Sequence, residues 1–65
     1  MKIIVSEMLG DATVLIYNRH GEVIHQEGFY GKTTESYIRQ IPVDPVEYSH
    51  SKAVVSGHIK FNVVV

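Results

Sequence analysis

The sequence contains no cysteine, only two prolines, and almost no surplus of charge: 65 residues carry a net charge of −1 at pH 7. Without cysteine there is neither a disulfide framework nor a thiolate metal site. A charge balance this even argues against a dedicated DNA binder, which carries a basic surplus, and equally against a nucleic-acid mimic, which carries an acidic one. No apolar run approaches the roughly eighteen residues of a membrane span. In the opening stretch "MKIIVSEMLGDA", Glu7 and Asp11 stand where a signal peptide would keep a longer uncharged segment, so a cytoplasmic protein without membrane contact is expected.

A chain of this length makes one domain, residues 1–65, and buries only about 60% of the surface that its unfolded form exposes. Domains this small usually need disulfides, a metal or a partner chain. With no thiols present, idealised packing or self-association is left.

The N-terminal half reads as β-strands. "KIIVSEM" is rich in β-branched residues and is followed by Gly10-Asp11, a turn signal. "ATVLIYN" and "VIHQEGFY" flank "RHGE", and Gly21 there supplies the positive φ that closes a hairpin loop. From Thr33 the pattern changes: Tyr30, Thr34, Tyr37, Ile38 and Ile41 recur at spacings of three and four, Thr33 or Thr34 can cap, and Glu35 suits the first turn. This predicts a short helix over 33–41, ended by Pro42. The competing reading is an edge strand with Tyr37, Arg39, Ile41 and Val43 on one side.

"PVDPVEYSHS" is a connector, because two prolines three apart forbid both a helix and a central strand. In "KAVVSGHIKFNVVV", Ile59, Phe61, Val63 and Val65 alternate with His58, Lys60 and Asn62, with Ser56-Gly57 as a hairpin turn or a bulge within one long strand. The expected fold is therefore α+β, a small, mostly antiparallel sheet of about five strands with one short helix in the order β-β-β-α-β-β; the alternative is a small all-β barrel.

That order raises an energetic problem. Val14 and Ile16 oppose Leu15 and Tyr17, and Ile3 and Val5 oppose Ile4 and Met8, so both faces of the sheet are apolar. One short helix covers only one face, and each large side chain left wet forgoes about 1.5 to 3 kcal/mol. A homo-oligomer, with a dimer favoured, or an obligate partner is expected to cover the other; were the chain a structural subunit, Val63-Val64-Val65 would sit in its interface.

Candidate chemistry is sparse. Gly31-Lys32-Thr33 resembles the end of a phosphate-binding loop, but that loop needs a glycine five residues earlier and position 26 is Gln. The four histidines have no ready-made metal spacing, and a site could only be assembled across strands, for example from His25, His58 and Glu27. No serine is locally oriented toward a histidine, and Asp44 and Glu47 share a proline-bearing loop where solvation is the simpler reading. The chain is accordingly expected not to be an enzyme and to need neither metal nor cofactor.

Exclusion leaves a small regulatory or inhibitor protein that acts by docking on another protein. The expected contact residues are Phe29, Tyr30, Lys32, Tyr37 and Arg39, with strand addition at an exposed sheet edge as a second mode. Chains of this size are common among accessory proteins of phages and mobile elements. The same aromatic and basic residues define the alternative of a nucleic-acid-binding module, since bases stack on such rings. A further alternative is a structural subunit of a homo-oligomer.

Overall fold

The computed structural model of the protein describes the backbone of residues 1–33 and 37–65, and the side chains of all of these except 32, 33 and 37. It is all-β, with seven segments: β1 (Lys2–Leu9), β2 (Ala12–Asn18), β3 (Val23–Phe29), β4 (Lys32–Thr33), β5 (Tyr37–Gln40), β6 (Tyr48–Val55) and β7 (His58–Val64). One antiparallel sheet has β1 at its centre, with β7 on one side and both β4 and β5 along the other. The second has the order β3-β2-β6. Among the described residues no helix is long and apolar enough to cross a membrane.

The ladder explains how one short chain makes two facing sheets. β1 pairs with β7 and β2 pairs with β6, both antiparallel. Pairing advances one residue for one residue from Glu7–Lys60 to Leu9–His58, then resumes without a slip at Ala12–Val55 and runs to Tyr17–His50. Two long strands are thus paired end to end and folded over once, at Gly10-Asp11 and Ser56-Gly57. The Ser56 amide and hydroxyl both donate to the Asp11 carbonyl, at 3.1 and 3.0 Å, so pairing persists through the fold. The expected turns at Gly10 and Ser56-Gly57 are neither hairpins nor bulges but the two halves of this crossing.

Glycine is required there for space. A β-carbon on Gly57 would collide with the Leu9 carbonyl oxygen, and one on Gly10 would lie 3.2 Å from the Gly57 Cα, while Gly10 itself has φ +86°. At the β2–β3 hairpin the need is different. Gly21 has φ +79°, and a β-carbon there would meet nothing within 4 Å. It ends a three-residue loop closed by Asn18, whose side-chain oxygen accepts from the His20 and Glu22 amides.

The core is Ile3, Val5, Met8, Ala12, Val14, Ile16, Phe29, Ile41 and Val43, and among the described residues no polar side chain is buried with it. Met8 joins Ile3 and Val5 on the inner face, although strict alternation places it opposite them. The register shift between Val5 and Glu7 accounts for this: Ser6 is an extra residue in β1, so alternation restarts one position later. Ile41 and Val43 close one end of the sandwich, with the Ile41 amide donating to the Met1 carbonyl.

The expected α+β fold is therefore corrected. Tyr37–Gln40 pairs with Val5–Lys2, so the predicted helix over 33–41 is replaced by strand pairing where it is described; residues 34–36 of that segment lie outside the described residues. The helical spacing is a weak local preference. It gives way because β1 has a second edge whose backbone groups need partners, and because Arg39 then faces inward opposite Ile3. The all-β alternative comes nearer, but the strands divide into two sheets rather than closing one barrel.

Substituting Gly57→Ala is expected to cost roughly 3 kcal/mol or more in urea unfolding, because backbone must move to admit the methyl group. Gly21→Ala is expected to cost only about 1 kcal/mol, the conformational term alone. Equal losses would contradict the crossing.

Candidate interaction surface

The side of the sandwich between β3 and β5 is closed by side chains. His25, Glu27 and Phe29 alternate along β3 and pair with Ile16, Val14 and Ala12, which places all three on the inner face. Phe29 is 1% exposed and belongs to the core. Arg39 reaches across from β5: its guanidinium lies 5.2 Å from the centre of the Phe29 ring and donates to Glu27 Oε2 at 2.6 Å. The other carboxylate oxygen, Oε1, lies 2.8 Å from His25 Nε2, which must carry the proton because an ionised carboxylate only accepts.

His25 and Glu27 are each 19% exposed and Arg39 is 46% exposed. The His25 hydrogen bond, reinforced by the hydrogen bond and charge of Arg39, holds the Glu27 carboxyl below its ordinary value of 4.5 against the opposing effect of burial. The cluster joins the two sheets where, among the described residues, no backbone ladder does.

On the outer face of β3-β2-β6 lie Thr13, Leu15 and Tyr17 of β2 with their partners Gly28, Gln26 and Val23 on β3 and Val54, Lys52 and His50 on β6. Tyr17 and His50 stack with ring centres 4.6 Å apart and planes 3° from parallel. Tyr30, just past β3, is 77% exposed, yet its ring lies back over Gly28, where any side chain would displace it. The next residue is fixed as well, since the Gly31 amide donates to Asp11 Oδ1 at 3.0 Å. Asp11, Thr13, Tyr30, Val54, Val55 and Ser56 together line a shallow cleft at the bend.

The structure thus divides the residues expected to form one contact surface. Phe29 and Arg39 face the interior side, whereas Tyr30 stands on the outside of the sheet that carries Phe29. Lys32 pairs with Leu9 and Tyr37 with Val5 along β1, and their side chains are outside the described set. The valines at 54 and 55 that share the Tyr30 cleft are not singled out by sequence reasoning. Their signal, two adjacent β-branched residues before Ser56-Gly57, is equally that of a core strand.

Other candidates take structural places. His25 and Glu27 do meet, but His58 lies on the other sheet, 3.8 Å from Glu7. Among the described residues no group of three His, Asp or Glu forms a potential metal site. Asp44 Oδ1 accepts from the Val46 amide and shapes the connector turn, which Arg19 ties to the hairpin by donating to the Val46 carbonyl at 3.2 Å. Glu27 and Arg39 are ion-paired with each other.

No family model, curated protein or solved structure matches the chain.

The Glu27 cluster generates a pH prediction. A carboxyl whose folded-state value is depressed stabilises the fold above its unfolded value, and that stability is lost as pH falls through the folded value. Acidification below about pH 4.5 should therefore weaken the protein. Glu27→Gln should lower neutral-pH stability by about 0.5–1.5 kcal/mol and flatten the acid limb, read from urea midpoints at pH 7 and pH 3.5. An acid limb of unchanged slope would remove Glu27 from this role.

Proposed function

We propose that the chain is a small non-enzymatic binding module of the cytoplasm, a regulatory or inhibitor protein that docks on another protein through the outer face around Tyr30. The observation that carries this reading is the exposure of Tyr30 on a supported shelf. A large ring held over Gly28, in a cleft shared with Val54, loses little conformational freedom on binding and offers a polar tip.

Two polar side chains of the cleft are otherwise engaged. Asp11 holds the Gly31 amide, and the Ser56 hydroxyl donates to a backbone carbonyl. This favours recognition by shape and apolar contact over chemistry performed on a substrate.

The nucleic-acid reading has one feature in its favour, the Tyr17–His50 stack on the same face as Tyr30. Against it, Lys52 is the one lysine or arginine among the outer-face partners of β2, too little charge to track a phosphate backbone.

The test compares wild type with Tyr30→Ala and Val54→Asp in capture from host lysate treated with nuclease. One protein species should bind wild type in stoichiometric amount and be lost, at least tenfold, with either variant, while circular dichroism stays unchanged. Retention by both variants, or loss of all bound material on nuclease treatment, would refute the reading.

A further inference from the structure

The long sides of the sandwich are unequal. Among the described residues every strand but β1 and β2 has a single neighbour; the β3–β5 side is bridged by Arg39, whereas on the other side β6 and β7 form the longest open backbone edge, from Tyr48 to Val64. Its parity can be read from two hydrogen bonds. The Ser56 amide donates to Asp11, and the Lys60 carbonyl accepts from the Ser6 hydroxyl at 3.2 Å, so Ser56 and Lys60 turn their backbone groups toward the β1–β2 strand. Backbone groups alternate along a strand, so Ile59, Phe61 and Val63 turn theirs to the open side.

These same three residues carry the inward-facing side chains of β7. They pair with Met8, Val5 and Ile3, pack against the core, and remain only partly buried. The apolar interior and a row of unpaired donors and acceptors therefore reach the surface along one line. β7 also lacks the features that protect an edge: it contains neither proline nor a bulge of its own, and its one lysine, Lys60, is 3.6 Å from Glu7. β6 is more polar, with Ser49, His50, Ser51 and Lys52 in succession.

We infer that β7 is the site of self-association: two copies of the chain pair β7 with β7 antiparallel about a two-fold axis through Phe61. The composition of β7 suits a second copy in this register, because its single lysine or arginine then meets no like charge. Centred on Phe61, Ile59 lies opposite the second copy's Val63, and the two Phe61 rings meet on the inner face. On the outer face Lys60 lies opposite Asn62, and His58 opposite Val64. All of β7 is used, with about six N–H···O bonds from the three outward-turned residues of each copy. A register centred on Lys60 sets two ammonium groups face to face and is disfavoured. The result is one continuous sheet across both copies, with the apolar interior closed across the axis. This interface involves the sheet that does not carry Tyr30, so it stands independently of the docking surface.

The test uses the outer-face position that the register sets against Lys60. Sedimentation equilibrium of wild type up to millimolar concentration is expected to show a monomer–dimer equilibrium. Asn62→Glu should tighten it about tenfold and Asn62→Lys should weaken it about tenfold, because each change acts twice per dimer. Opposite shifts support the pairing. A wild-type chain that stays monomeric, or a dimer whose constant moves with neither variant, overturns it. Should either variant fail to fold, amide hydrogen exchange on wild type decides: protection of the Phe61 amide must rise with protein concentration, and a concentration-independent rate rejects the interface. Tyr30→Ala should leave the dimer unchanged.

Discussion

The contact between Gly57 and the Leu9 carbonyl is the constraint on which the rest of the structure depends. Two long strands stay in one register through the bend, and only a site without side chains lets them fold across themselves. Once folded, the two halves of each strand face each other. Ile3, Val5 and Met8 then meet Ala12, Val14 and Ile16, and a core forms that neither sheet could bury alone. The third strand of each sheet follows from this: β3 returns beside β2 through a tight hairpin, and β4 and β5 complete the free edge of β1.

The same folding pattern makes the two long sides of the sandwich different in kind. Where β3 faces β5, no described ladder pairs the two sheets, and the Arg39–Glu27–His25 cluster over Phe29 supplies a side-chain link. Where β6 becomes β7, the covalent chain itself joins the sheets, but no described strand pairs with its outer edge. A thin core ends there in half-buried Ile59, Phe61 and Val63. The distribution of polar partners thus ties Arg39 into the fold and leaves both Tyr30 and the outer edge of β7 exposed among the described residues.

Much of the strand content is legible in the sequence, because β-branched runs such as "ATVLIYN" and the alternation of "HIKFNVV" reflect the two-residue period of a half-buried strand. The Gly21 hairpin is legible for the same local reason. The crossing is not, because Gly10-Asp11 and Ser56-Gly57 have the composition of ordinary turns, and only their mutual contact, across most of the chain's length, makes them a fold-over. Alternation misplaces Met8 because a bulge at Ser6 leaves no mark on composition. Tyr37 to Gln40 looks helical because spacings of three and four recur by chance in a short segment, while the demand of β1 for a second neighbour is a property of the assembled sheet. Of the expected contact residues, Tyr30 and Phe29 are adjacent in sequence, and strand geometry sends one outward and the other into the core.

Nuclear Overhauser contacts between α-protons measure the folded ladder most directly. Close pairs are expected at Val5–Phe61 and Met8–Ile59 together with Val14–Ala53 and Ile16–Ser51, one set on each side of the bend and both in the same molecule. Local pairs such as Leu9–Ala12 or Val55–His58, with the long-range set missing, would mean that the glycines form two ordinary hairpins and would contradict the folded ladder.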